Sequence, residues 1–134
     1  MDEVTVNLET EIYPTENEEK VKVAVTNVLG NASIIMKSEG KVNLLTAKAE
    51  GQESLVKLRN ILRSDRVRDA SRKALFRSMR GNMIRFCLNK QVAFAGHISF
   101  CEETGESPLG PMKMTIETDN PQQLIEWLAE KTER

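Results

Sequence analysis

Val4-Thr5-Val6-Asn7-Leu8-Glu9-Thr10-Glu11-Ile12 puts apolar side chains at Val4, Val6, Leu8 and Ile12 and polar ones between them. A period of two describes a strand with one face buried and the other wet. Tyr13-Pro14 ends it, because proline has no amide proton to give to a ladder. The period then changes. Thr15-Glu16-Asn17-Glu18 reads as a capping box, with Thr15 at the N-cap and Glu18 reaching back. Val21, Ala24, Val25, Val28 and Leu29 follow at helical spacing, and Gly30 supplies a C-terminal stop. The spacing predicts a helix over 16–29. A strand and a helix that each have one apolar side must share a core, so the chain is read as layered.

Two short strands are expected next, at 32–37 and 41–49, joined by Ser38-Glu39-Gly40. Leu55, Leu58 and Leu62 make an apolar stripe on a helix at about 52–63. Ser64 looks like the N-cap of a further helix, 65–80, stopped by Gly81. Asn82–Leu88 and Val92–Phe100 then read as a hairpin. A three-residue loop, Asn89-Lys90-Gln91, sets Leu88 against Val92 and Phe86 against Phe94, pairing apolar with apolar. In that register Cys101 lies some 25 Å along from the partner of Cys87, out of reach of a disulfide. Pro108-Leu109-Gly110-Pro111 is a turn, and Met112, Met114 and Ile116 mark a last strand. Asn120-Pro121 opens the final helix, with Leu124, Ile125 and Leu128 toward the core and Trp127 at the stripe's edge. The expectation is a single domain, 1–134, of class α+β. It is a mostly antiparallel sheet covered by helices, in the order β-α-β-β-α-α-β-β-β-α.

Charge is the strongest functional signal. Residues 57–90 carry eleven Lys/Arg against two Asp, whereas 1–56 carry five against ten acidic residues and 91–134 three against eight. A net charge of −1 therefore conceals blocks of −5, +9 and −5. A one-sign block marks where a polyanion or an acidic protein face would sit. The chain has 134 residues, 40% hydrophobic and 29% charged, as expected of an ordinary globular domain. No apolar run reaches the roughly 20 residues of a membrane span. The N-terminus has no secretion signal, and the protein is expected in the cytoplasm.

Chemistry at the level of a reaction is not visible. Glycine-rich phosphate loops are absent, and two cysteines with one histidine, His97, make no metal-ligand pattern. No cofactor, metal or catalytic residue is expected. His97 reads as a surface or satisfied core side chain, and Glu102, Glu103 and Glu106 read as solvated turn carboxylates. The basic block is different. Projected at about 100° per residue, Arg66, Lys73, Arg77 and Arg80 share one side of the helix 65–80. Phe76 lies beside them, either as core or as a stacking platform. The candidate RNA-binding set is Arg59, Arg63, Arg66, Lys73, Arg77 and Arg80, with Arg85 and Lys90 from the hairpin. Arginine forks suit phosphate. The alternative is a protein-interaction or homodimer scaffold, in which this block pairs with the acidic segments.

Three stretches together resemble a known group: Ile12-Tyr13-Pro14-Thr15-Glu16-Asn17-Glu18-Glu19-Lys20-Val21, Arg85 through Gly96 with its Leu88-Asn89-Lys90-Gln91 tip, and Pro108-Leu109-Gly110-Pro111. Their order and spacing are similar to those of the archaeal uncharacterised protein family 0201, over nearly the whole chain. That resemblance implies a fold like that of the large-subunit ribosomal protein five, which holds 5S RNA, and a homodimer. It raises structured RNA as the partner and supplies no catalytic residue.

Overall fold

The computed structural model describes residues 3–101 and 110–131. The elements are β1 (Val4–Ile12), α1 (Glu18–Val28), β2 (Ser33–Glu39), β3 (Val42–Glu50), a 3-10 turn (Gln52–Leu55), α2 (Val56–Ser64), α3 (Arg68–Arg77), β4 (Met79–Arg80), β5 (Met83–Asn89), α4 (Lys90–Phe94), β6 (Phe100–Cys101), β7 (Pro111–Thr118) and α5 (Pro121–Leu128). The α+β class and the expected order hold, with the short strand β4 and the helix α4 added. All strand pairs are antiparallel, in the order β2-β3-β1-β7-β5-β4, and β6 also pairs with β5.

The alternation in β1 does what its period requires. Val4, Val6, Leu8 and Ile12 are buried, and so are Leu45, Ala47, Met112, Met114, Ile116, Ile84 and Leu88 on the neighbouring strands. Val25 and Val28 of α1, Leu58 and Leu62 of α2, Leu75 of α3 and Leu124, Ile125 and Leu128 of α5 complete one continuous core. Thr5, Asn7, Glu9, Thr115, Lys113 and Arg85 alternate with the buried positions and so belong to the opposite face. The final helix is capped as expected, Asn120 Oδ1 accepting from Gln123 N at 3.1 Å with Pro121 at its first position.

Several boundaries move for local reasons. Tyr13 to Glu16 is a turn closed by Glu16 N donating to Tyr13 O at 2.9 Å, so α1 begins later than expected. Its cap is Asn17, not Thr15, with Oδ1 accepting from Glu19 N at 2.9 Å and Lys20 N at 3.3 Å. Ser64 ends α2 rather than capping α3, and Arg66 takes a left-handed φ of 56° in the turn between them. Helix α3 stops at Arg77. Met79–Arg80 leaves it to pair with β5, around a turn that contains Gly81 at φ 58°.

The hairpin expected over 82–100 needs correction. Its first strand is present as β5, but residues 90–94 form α4. Asn89 caps this helix by accepting from Val92 N at 3.0 Å. Asn27 of α1 donates to the carbonyls of Ala93 at 2.9 Å and Phe94 at 3.2 Å, satisfying acceptors at its other end. The chain consumes these residues as helix, so the return strand starts only at Phe100. Cys101 then stands directly opposite Cys87. Opposed Cα atoms in such a ladder are about 4.5–5.5 Å apart, inside the disulfide range, which reverses the expectation of unreachable thiols. Treating the protein with a low-molecular-weight disulfide should convert both thiols to one internal bond. Thiol titration should fall to zero while the species stays at one-chain mass on a non-reducing gel. A product at two-chain mass would contradict the register.

A basic cleft at the open edge of the sheet

The outer edge of β5 is shared by two short partners. Beta-four covers Met83 and Ile84, and Arg85 N reaches back to Ser78 O at 3.4 Å. Beta-six covers Cys87 and Leu88. Between them the edge opens into a cleft of about 550 Å³, lined from α3, β5, β6 and β7. Its polar groups include Arg77, Arg85 and Lys113, with Ser78 and Thr115. Among the described residues no carboxylate lines it. Arg85 faces Thr115 across the β5–β7 ladder and Cys87 faces Lys113, so Arg85 and Lys113 are diagonal neighbours, with Cα atoms about 7–8 Å apart. The inner wall is aromatic. Phe86 and Phe100 have centroids 5.5 Å apart and planes tilted by 53°.

The structure divides the expected site residues into three groups. Arg77 and Arg85 reach the cleft. Arg63, Arg66 and Lys73 are exposed and join no ion pair among the described residues. Arg80 is also exposed, with its guanidinium folded back to donate to Arg77 O at 2.8 Å and Met79 O at 2.7 Å. Arg59 is engaged with α5: Nε donates to Trp127 O at 3.0 Å, a terminal nitrogen meets Glu130 at 2.7 Å, and the guanidinium lies 5.2 Å from the Trp127 centroid.

Lys90 lies elsewhere entirely. Its side chain is only 3% exposed. The ammonium pairs with Glu16, itself 7% exposed, at 2.9 Å and donates to Glu11 O at 2.7 Å. It belongs to the interior and not to a basic surface. Phe76 packs against the core with Arg72 over its ring at 5.1 Å, so it is no stacking platform. His97 meets Asp65 at 2.9 Å, tying the α2–α3 corner to the segment after α4. Glu102, Glu103 and Glu106, and Pro108-Leu109 of the expected turn, lie outside the described residues.

Lys113 is the residue that sequence reading missed. It sits 23 positions beyond the basic block, in an acidic third, and only the β5–β7 pairing brings it alongside. The same block loses members to α5. Arg72 makes a two-pronged pair with Glu126, 2.6 Å at one prong, and Arg68 approaches Glu130 at 3.9 Å. The hydrogen bonds and charge of Arg72 and Arg59 hold the Glu126 and Glu130 carboxyls below the ordinary glutamate value. Among the described residues no group of three His, Cys, Asp or Glu could hold a metal, and no helix is long and apolar enough to cross a membrane.

Two outcomes follow. Removing one partner of a buried pair strands the other charge, so Lys90→Ala should lower unfolding free energy by about 3–5 kcal/mol in a urea titration. A loss under 1 kcal/mol would show that the pair contributes little. The α5 pairs act through lowered carboxyl pKa values. Their stabilisation is complete above the unfolded glutamate pKa, near 4.5, and is lost as pH falls through the lower folded values. Below pH 4.5, Glu126→Gln should flatten part of the acid loss of stability seen by thermal melting, and an unchanged acid limb would refute this.

Comparison with known proteins gives the chain a family and relatives of the same fold. A family model described as RNA binding matches residues 5–118. A UPF0201 protein of Sulfurisphaera tokodaii is 43% identical over 93% of this chain and 86% of its own length. One from Sulfolobus acidocaldarius is 41% identical over 95% and 88%. The crystal structure of a UPF0201 protein from Methanococcus jannaschii superposes with a TM-score of 0.83 at 28% identity, covering 96% of this chain and 95% of that one. A DUF54 protein from Methanothermobacter thermautotrophicus, at 19% identity and a TM-score of 0.63 over 96% and 95%, shares the fold.

Proposed function

This chain belongs to the archaeal UPF0201 family and to the family described as RNA binding, and from that premise we propose that it binds RNA through the face formed by Arg66, Lys73, Arg77, Arg80, Arg85 and Lys113, with Arg63 at its margin. The observation that carries the reading is the cleft at the β5 edge, which Arg77 and Arg85 line together with Lys113. The role is binding without bond making or breaking. Arginine forks take phosphate oxygens two at a time and the lysines add point charge, so contacts fall mainly on the backbone.

Arg59 and Lys90 drop out of the binding set. The first is held by Trp127 and Glu130 and the second is buried. The charge pairing that a scaffold reading requires is met in part inside one chain, at Arg59, Arg68 and Arg72. Assembly of two copies remains a separate proposal, supported by the resemblance and by the alternation of acidic and basic blocks along the chain. Sedimentation at micromolar concentration tests it, and a monomer would remove it.

Binding to total cellular RNA should weaken steeply with salt, with a logarithmic slope of roughly 0.7–0.9 per phosphate neutralised. Arg77→Glu with Arg85→Glu should lower affinity for all RNAs alike and reduce that slope by one to two contacts' worth. Circular dichroism controls for folding. Absence of salt-sensitive retention by the wild-type protein would end the reading.

A further inference from the structure

Seven of the described residues take a left-handed backbone. Five are glycines and one is Asn31, residue types that accept a positive φ readily, and the seventh is Arg66 at φ 56°. The turn around Arg66 explains the conformation. Asp65 ends α2, and then Arg66 N donates to Arg63 O and Val67 N to Leu62 O, each at 3.2 Å. This pair of bonds leads the chain out of a helix through one left-handed residue and lets Val67 pack back onto the core. The position suits glycine. An arginine there crowds its Cβ against the backbone carbonyl, a strain that persists only where something offsets it.

Nothing among the described residues offsets it. The Arg66 side chain is exposed and makes no hydrogen bond or ion pair with any of them. The neighbouring carboxylate of Asp65 is turned away, meeting His97 at 2.9 Å and accepting from Ile98 N at 3.4 Å. Arg63, on the last turn of α2, is exposed as well and joins no ion pair among the described residues. Lys73 and Arg77 continue the exposed charge along α3, so Arg66 to Arg77 spans about 16 Å at helical rise.

We propose that Arg66 is the anchoring phosphate contact of this face: its guanidinium fork takes two oxygens of one RNA phosphate at the α2–α3 corner, and the strained turn is kept for that contact. The proposal rests on the RNA-binding reading and deepens it, because it separates one direct contact from cations that act through charge alone. Val67 in the core on one side and Asp65 tied to His97 on the other hold the Arg66 backbone, so the fork starts from a fixed point. Lys73 and Arg77 then follow the flanking phosphates along α3.

Thermal melting and fluorescence anisotropy with a labelled RNA at fixed salt, run on the same variants, test this. Arg66→Gly should raise the melting temperature, because glycine is what the turn accepts, and should weaken RNA binding about tenfold. Arg66→Lys keeps the charge but not the fork and should regain only a small part of that affinity. Lys73→Gln, on an unstrained helical turn of the same face, should weaken binding with no gain in melting temperature. An Arg66→Gly variant that melts no higher than wild type would overturn the exchange of stability for contact. Unchanged affinity in Arg66→Gly, or full affinity in Arg66→Lys, would overturn the direct contact and leave the RNA-binding reading standing. Wild-type protein that retains no RNA would end that reading, and this assignment with it.

Discussion

The buried pair between Lys90 and Glu16 fixes where the rest of the chain can go. Its ammonium meets the Glu16 carboxylate, the Glu11 carbonyl at the end of β1, and the face of Tyr13, whose centroid is 5.8 Å away. One side chain thus joins the exit of β1, the entry to α1 and the exit of β5. Burying two charges is expensive, and the cost is offset only when the remaining donors and acceptors are satisfied, as they are here. With Lys90 drawn inside, the chain cannot turn back at Asn89 as a hairpin tip would. It continues as α4, capped by Asn89 at one end and Asn27 at the other, and returns to the sheet late. The return strand is therefore short, the β5 edge stays partly open, and the cleft is the space that results.

The same geometry sorts the positive charge. Glu126 and Glu130 of α5 engage Arg72, Arg59 and Arg68, which dock α2 and α3 onto the last helix. Lys73 and Arg77, one turn apart on α3, point away from those carboxylates, and Arg77 reaches the cleft. A block that looks uniform along the chain is thus divided by packing into a part that holds helices together and a part left toward solvent. Lys113 comes alongside Arg85 from β7, because antiparallel pairing places it beside Cys87 and diagonal to Arg85.

Much of this was legible where one period dominated. The alternation of Val4, Val6, Leu8 and Ile12 gave β1 its buried face, and Asn120-Pro121 gave the last helix its start. The segment after β5 defeated the same method, since Val92, Phe94 and Gly96 alternate as a strand would while Asn89 and Gly96 also fit a short helix between a cap and a stop. Five helical residues are too few for a period to discriminate. What decided the matter was a pairing 74 residues away, between Lys90 and Glu16, to which no local pattern points. The basic block was visible as composition. Its division was not, because α5 and β7, which divide it, lie far along the chain.

Salt therefore acts on this molecule in two places. The α3–α5 pairs are partly exposed and weaken as ions screen them, and on the proposed reading a phosphate backbone would be released by the same ions. The buried Lys90 pair is screened far less, so the turn that opens the cleft should persist at salt concentrations that loosen α5. The cleft's shape is governed by the interior charge and, on the proposed reading, its occupancy by the exterior ones. The shape therefore outlasts the attraction.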